Sequence, residues 1–136
     1  MTIRTATTAD AEAAIALWHA CALTRPWNDP AADFTRALAG PSSTVLVLEH
    51  AGMVIGSVMA GDDGHRGWLY YLAVDPAHQR QGHARALVDA ACRFLRAQGC
   101  PKVELMVRQG NAAAGLYPRL GWQRQEVEVW ALTLDP

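Results

Sequence analysis

Residues 68–84 limit what this chain can fold into more than any other stretch. Trp68 to Val74 is rich in aromatic and aliphatic side chains, reads as a strand, and is ended by Asp75-Pro76. From Gln81 to Gln98 the pattern is helical: Ala84, Leu87, Val88, Ala91 and Leu95 form an apolar stripe, with Arg85, Asp89, Arg93 and Arg96 opposite. The helix opens on small residues, so its free first-turn amides and its dipole offer a place for a phosphate or pyrophosphate. Gly82 lets the backbone approach such an anion with no Cβ in the way, Ala84 keeps the next position small, and Arg80 and Arg85 add charge at the rim. On local physics alone, an anion site and an ordinary strand–loop–helix connection fit equally. Neither the dinucleotide pattern G-x-G-x-x-G nor a Walker loop is present.

The rest of the chain supplies the elements for a mixed sheet. Ile3 to Ala6 reads as a short strand, and Thr8 caps a helix with Asp10 and Glu12 in its first turn. Arg25-Pro26-Trp27-Asn28-Asp29-Pro30 breaks that helix, and a second runs from Asp33 to Ala39. Thr44 to Glu49 and Met53 to Ala60 form an antiparallel hairpin through His50-Ala51-Gly52. Lys102 to Val107 is a further strand, Asn111 to Leu120 a short helix, and Gln125 to Leu134 a last strand. Pro118 predicts a kink or local unwinding unless the helix begins nearby. Strands followed by strand–helix–strand give an α/β fold with helices on both faces, and 136 residues make one domain, 1–136.

Composition narrows the function classes. A formal net charge of −1 argues against a nucleic-acid partner, and the longest apolar runs are strand-sized, which argues against a membrane one. Met1-Thr2-Ile3-Arg4 lacks the apolar core of a signal peptide, so a cytoplasmic protein is expected. Cys21, Cys92 and Cys100 have no metal-type spacing and read as reduced, buried thiols; no metal site is expected.

Leu72-Ala73-Val74-x-Pro76 followed by Gln79-x-x-Gly82-x-Ala84 resembles the acetyl-coenzyme A signature of the GNAT superfamily of N-acetyltransferases, written Q/R-x-x-G-x-G/A. Gly115-Leu116-Tyr117-Pro118-Arg119-Leu120-Gly121-Trp122 is similar to the L-Y-x-x-L-G-F ending of that family. The resemblance implies a mixed, mostly antiparallel sheet of six to seven strands around a splayed parallel pair, Trp68–Val74 and Lys102–Val107, with about four helices. It implies that the backbone of Leu72, Ala73 and Val74 pairs with the pantetheine arm. Gln79, Arg80, Gln81, Gly82, His83, Ala84 and Arg85 would then hold the pyrophosphate. It also implies that Tyr117 acts as general acid toward the departing thiolate, a task that suits a phenol. An asparagine is common seven residues before that tyrosine; here Gly110 stands there and Asn111 lies six before, as either a cofactor contact or a helix cap.

The acceptor half is less defined. Trp68 to Val74 holds no carboxylate, so the base candidates are Asp62, Asp63, His65 and Glu104, with Asp29 beyond them and water as the alternative. Arg25, Trp27, Asn28, Asp29 and Arg66 would line an acceptor site between the 25–30 and 62–66 loops, where carboxylates favour an aminium group. Arg25 and Arg66 favour a carboxylate or phosphate, and both kinds of group together suit an amino acid, a peptide N-terminus or another zwitterion. A rigid turn with Trp27 plugging the core edge explains the first loop equally well. The expected activity is acetyl transfer to the primary amine of a small molecule or a peptide N-terminus, in a ternary complex. The alternative is a coenzyme A-binding regulatory protein of weak turnover. Val127, Val129, Trp130 and Ala131 would lie on a sheet edge, leaving monomer and homodimer both open.

Overall fold

The computed structural model describes residues 1–135. They fall into two compact units, Met1–Met106 and a second that begins at Val107. The first unit contains β1 (Thr2–Thr5), α1 (Ala11–Ala20), α2 (Pro30–Ala39), β2 (Ser43–His50), β3 (Met53–Asp62), β4 (Gly67–Val74), α3 (His83–Ala97) and β5 (Val103–Leu105). Short 3-10 turns at Thr8–Asp10 and Pro76–His78 lead into α1 and toward α3. The strands form one sheet in the order β1-β2-β3-β4-β5, antiparallel except for the parallel β4–β5 pair.

Local chemistry explains the boundaries. The hairpin turns through Ala51 (φ +51) and Gly52 (φ +76), the two positive φ angles that a tight two-residue connection requires. α2 starts at Pro30 rather than at the expected Asp33, because the Asp29 carboxylate accepts the Ala32 amide (3.1 Å) and proline is well suited to a first helical position. The turn into α1 centres on Asp10, not Thr8: its carboxylate takes both guanidinium nitrogens of Arg4 (2.8 and 3.0 Å) and the Thr7 amide (2.8 Å).

α1 and α2 cover one face of the sheet, where Trp18 and Phe34 pack with Val45, Val47 and Ala73. α3 covers the other through Leu87, Val88, Ala91 and Leu95, all buried. Its close approach depends on two glycines, since a Cβ on Gly56 would stand 2.9 Å from Leu87 Cδ1 and one on Gly67 2.8 Å from Leu95 Cδ1.

The second unit holds a 3-10 turn, Ala112–Gly115, and α4, Leu116–Arg119. The expected continuous helix over Asn111 to Leu120 is therefore divided, and Pro118 falls inside the first turn of α4, where its missing N–H costs nothing. The described residues contain five strands and four α-helices, not six to seven strands. The difference lies in Gln125 to Leu134, which forms no strand: β-favouring side chains do not make a strand without a backbone ladder to join. Among the described residues, no helix is long and apolar enough to cross a membrane.

Candidate active site

The two parallel strands part early. β5 pairs with β4 only at Gly67–Val103, Trp68–Glu104 and Leu69–Leu105, so one edge of β4 is left open from Tyr70 onward. On its other edge the Asp75 amide donates to the Ile55 carbonyl (2.8 Å), and backbone groups alternate along a strand. The Val74 N–H and C=O, one residue earlier, therefore point away from β3. The Val74 carbonyl accepts from Gln79 Nε2 (3.0 Å) and from Cys21 Sγ (3.3 Å). Burial raises the Cys21 pKa, which keeps this thiol protonated and able to donate. Gln79 thus contributes a side chain that ties the turn to the end of β4, a role the sequence did not suggest.

Between Leu69 and Val74 the strand bulges. Ser57 pairs with Ala73 and Met59 with Tyr70, so Val58 alone faces both Tyr71 and Leu72. Tyr71 sits at φ +52, a left-handed conformation costing an aromatic residue about 1–3 kcal/mol unless its surroundings hold it. Three contacts do so. Ser57 Oγ donates to the Tyr71 carbonyl (2.9 Å), the ring stacks on Trp18 (centroids 3.8 Å apart, planes at 10°), and the phenol donates to Asp33 Oδ2 (2.7 Å). Burial and the Asp33 carboxylate push the Tyr71 pKa far up, and Asp29 adds to the effect. Sequence reasoning passed over Ser57, Trp18, Asp33 and Tyr71 as site residues. A lone serine inside the apolar run Val54–Met59 is the signal that was available.

After β4 the chain passes through Arg80 (φ +64) and Gly82 (φ +83), both left-handed. Among the described residues, nothing lies within 4 Å of the place a Gly82 Cβ would take. No side chain caps α3, and its Ala86 amide bonds the Gly82 carbonyl (3.1 Å). The amides of His83, Ala84 and Arg85 precede that bond and have no intrahelical acceptor. An open edge followed by an amide-lined turn suits a linear molecule with an amide-bearing arm and a pyrophosphate. α3 starts at His83 rather than Gln81, so Gln81 and Gly82 belong to the turn; the Gln81 side chain lies 3.2 Å from His83 Nε2. Arg85 Nε stands 3.9 Å from Asp89 on the exposed helix surface, a pair of little energetic weight.

The base candidates differ sharply in what their oxygens already do. Asp62 Oδ1 accepts the Gly64 amide (2.8 Å). Asp63 accepts the amides of His65 and Arg66 (each 2.8 Å) and Trp68 Nε1 (3.1 Å), and these backbone bonds hold its pKa down. Both aspartates are turn formers. Glu104 lies opposite Trp68, one pair short of where the strands part, with Arg66 Nε 3.5 Å from its Oε1. His65 sits in the same exposed loop.

The two loops expected to frame the acceptor lie at opposite ends of α2. Asp29 caps its start, whereas Asp62 exchanges hydrogen bonds (both 3.0 Å) with Ser42, just past its end. Ten helical residues separate them, about 15 Å along the axis. It is the start of α2, with Trp27, Asn28 and Asp29, that adjoins the bulge, through the Tyr71–Asp33 bond. Trp27 is 70% exposed and does not plug the core. Arg25 donates to the carbonyls of Ala22 (2.9 Å) and Thr24 (2.8 Å).

In the second unit, the Tyr117 ring meets Trp122 edge to face at 6.0 Å, and burial raises its pKa. The Asn111 carbonyl accepts the Ala114 amide (3.1 Å), which places Asn111 at the head of the 3-10 turn.

Comparison with known proteins agrees with this arrangement. A model of the acetyltransferase (GNAT) family matches residues 5–122. Acetyltransferase YE1169 of Yersinia enterocolitica is 45% identical over 127 residues, covering 93% of this chain and 90% of its own. Acetyltransferase ECA0875 of Pectobacterium atrosepticum is 48% identical over 115 residues, 84% and 82% of the two chains. The fold is similar to that of AAC(6')-Iy, solved in complex with the bisubstrate analog CoA-S-monomethyl-acetylneamine. That likeness has a TM-score of 0.82, covers 97% of each chain and carries 19% identity. The chain is an acyltransferase and belongs to the acetyltransferase (GNAT) family.

Proposed function

We propose that the chain, acting as one domain over 1–136, transfers an acetyl group from acetyl-coenzyme A to the primary amine of a small molecule or a peptide N-terminus. The family model matches residues of both compact units, from 5 to 122, which supports the single-domain reading. The observation that carries the donor is the open β4 edge beyond Leu69, leading into uncapped amides at His83 to Arg85. Bound acetyl-coenzyme A supplies an activated thioester. The protein's part is to hold that arm along Leu72 to Val74, receive the pyrophosphate at Gln81 to Ala84, and offer the Leu72 N–H to the oxygen on which charge develops. The amine nitrogen forms the new N–C bond as the C–S bond breaks. Tyr117 gives its phenolic proton to the departing sulfur, and the proton from the amine passes to water or to Glu104.

Asp29 at the start of α2 supplies the acceptor's attraction, since Asp33 is already paired with Arg36 (2.9 Å) and the Tyr71 phenol. Asp29 and Asp33 stand beside the bulge, and Trp27 offers an exposed apolar wall. That combination favours a cationic amine on a partly apolar body. AAC(6')-Iy, of similar fold, is an aminoglycoside N-acetyltransferase, which is consistent with an amine acceptor. The deciding measurement is thiol release from acetyl-coenzyme A against a panel of amines and peptide N-termini. Turnover with cationic amines is expected. Tight coenzyme A binding with no turnover on any acceptor would instead favour the regulatory role, which the use of Asp62 Oδ1 and both Asp63 oxygens in turn hydrogen bonds keeps in contention.

A further inference from the structure

The bulge is held by a relay whose direction is chemically forced. The Trp18 indole N–H can only donate, and does so to Ser57 Oγ at 2.8 Å. The Tyr71 carbonyl can only accept, so the single Ser57 proton goes to it, at 2.9 Å. Ser57 and Trp18 are both fully buried, so water does not compete for either bond. A serine in the centre of an apolar strand is costly to bury unless it is fully satisfied, and here it is satisfied only by this one arrangement.

The Tyr71 carbonyl and the Leu72 N–H belong to the same planar trans peptide and point in opposite directions. Fixing the carbonyl from inside the sheet therefore fixes where the Leu72 N–H points. Leu72 has no single partner across β3, and the β5 ladder has already ended at Leu69. A hydrogen bond accepted by the carbonyl also polarises the N–H across the peptide unit. We infer that Ser57 is a positioning residue for acetyl transfer: through the Tyr71 carbonyl it sets the plane of the Tyr71–Leu72 peptide and aims and strengthens the Leu72 amide as the donor to the developing oxyanion. This rests on the acetyl-transfer reading of the site.

The test compares Ser57→Ala with Ser57→Thr, which keeps the hydroxyl, and with Val45→Ala, a core truncation on β2 chosen to match the loss of melting temperature. Ser57→Ala is expected to lower kcat roughly tenfold or more, approaching the loss of one oxyanion donor, with little change in KM for acetyl-coenzyme A. Ser57→Thr should recover most of the rate, and Val45→Ala should keep kcat. A second measurement needs no cofactor: the Leu72 amide proton resonance should move upfield in Ser57→Ala and stay in place in Val45→Ala. Equal kcat losses in Ser57→Ala and Val45→Ala, or an unmoved Leu72 resonance, would overturn the inference. A wild-type protein that releases no thiol with any amine would overturn the proposed function instead, and the resonance would still decide whether the relay exists.

Discussion

Tyr117 and Asp63 show how burial and hydrogen bonding assign opposite protonation states to candidate residues. Burial raises the Tyr117 pKa above the ordinary phenol value, so the hydroxyl keeps its proton throughout the neutral range and is fit to give it to a leaving thiolate. Replacing Tyr117 by Phe should lower kcat by about 10²-fold, within the usual range for a general acid, while leaving the coenzyme A dissociation constant within a few-fold. The alkaline fall of kcat should lie above pH 10 in the wild type and vanish from the variant's residual rate. Full activity in Tyr117→Phe across that range would remove the phenol from the chemistry. Asp63 is the reverse case. Its carboxylate accepts two amides and an indole N–H, which lowers its proton affinity and makes it a poor base. Asp63→Asn should therefore loosen the β3–β4 turn and leave kcat within about threefold, whereas Glu104→Gln should lower kcat by more than that. If Asp63→Asn loses activity as a base would, the division between turn former and base is wrong.

The elements proposed to hold the cofactor were legible because their chemistry is local. A strand that stops at Asp75-Pro76, a glycine free to turn left-handed and an amphipathic helix were each written in the order of residues, and all are present. The Ser57–Tyr71 contact joins residues on separate strands, and the Trp18–Ser57 contact spans 39 positions; neither pattern nor spacing encodes such a meeting. Where the two acceptor loops stand relative to each other was hidden for the same reason. Residues 25–30 and 62–66 have complementary side chains, yet α2 stands between their anchors. Packing of α3 belongs at this scale too. Gly56→Ala would bring a methyl group to 2.9 Å from Leu87 Cδ1, 3.2 Å from Leu48 Cβ and 3.3 Å from the Ala73 carbonyl, so the buried Leu87 side chain or α3 itself must shift. A loss of about 1–3 kcal/mol in urea unfolding is expected, with a raised KM for acetyl-coenzyme A as the helix start moves. Unchanged stability would mean that α3 sits less tightly than the distances say. At the other end of the sheet, the Arg4 guanidinium holds the Asp10 pKa down to about 2 from 3.8. Because the folded value is the lower one, the stability this pair adds is present above pH 4 and lost as pH falls toward 2. Arg4 is a third exposed, so the contribution is on the order of 1 kcal/mol. Melting curves of wild type and Asp10→Asn should converge as pH is lowered to 2; a constant gap would place the effect in packing instead.

At the scale of the whole molecule, the stretch from Gln125 to Leu134 is the part that least resembles a finished surface. Its side chains alternate as a strand's do, yet it joins no ladder, and Trp130, Leu132 and Leu134 are 88%, 84% and 83% exposed. Val127 and Val129 are exposed as well. Single exposed aliphatics are ordinary, but five large ones within eight residues form a patch of the kind that marks an interface. On a strand, Trp130, Leu132 and Leu134 share one face, and at roughly 150 Å² apiece they offer about 450 Å² per copy. A two-fold arrangement doubles this to about 900 Å², the scale of a weak protein interface. A net charge near −1 provides little repulsion between copies. Of the two states left open by the sequence, the homodimer is therefore expected, with the tail gaining from a second copy the ladder it lacks. Sedimentation equilibrium at micromolar concentration should give twice the chain mass for the wild type. Trp130→Glu combined with Leu132→Lys should give a single chain mass, and Trp130 fluorescence should shift to the blue as the wild type associates. A wild-type monomer at every concentration, or a double variant that still associates, would mean that this apolar stretch serves something other than self-pairing.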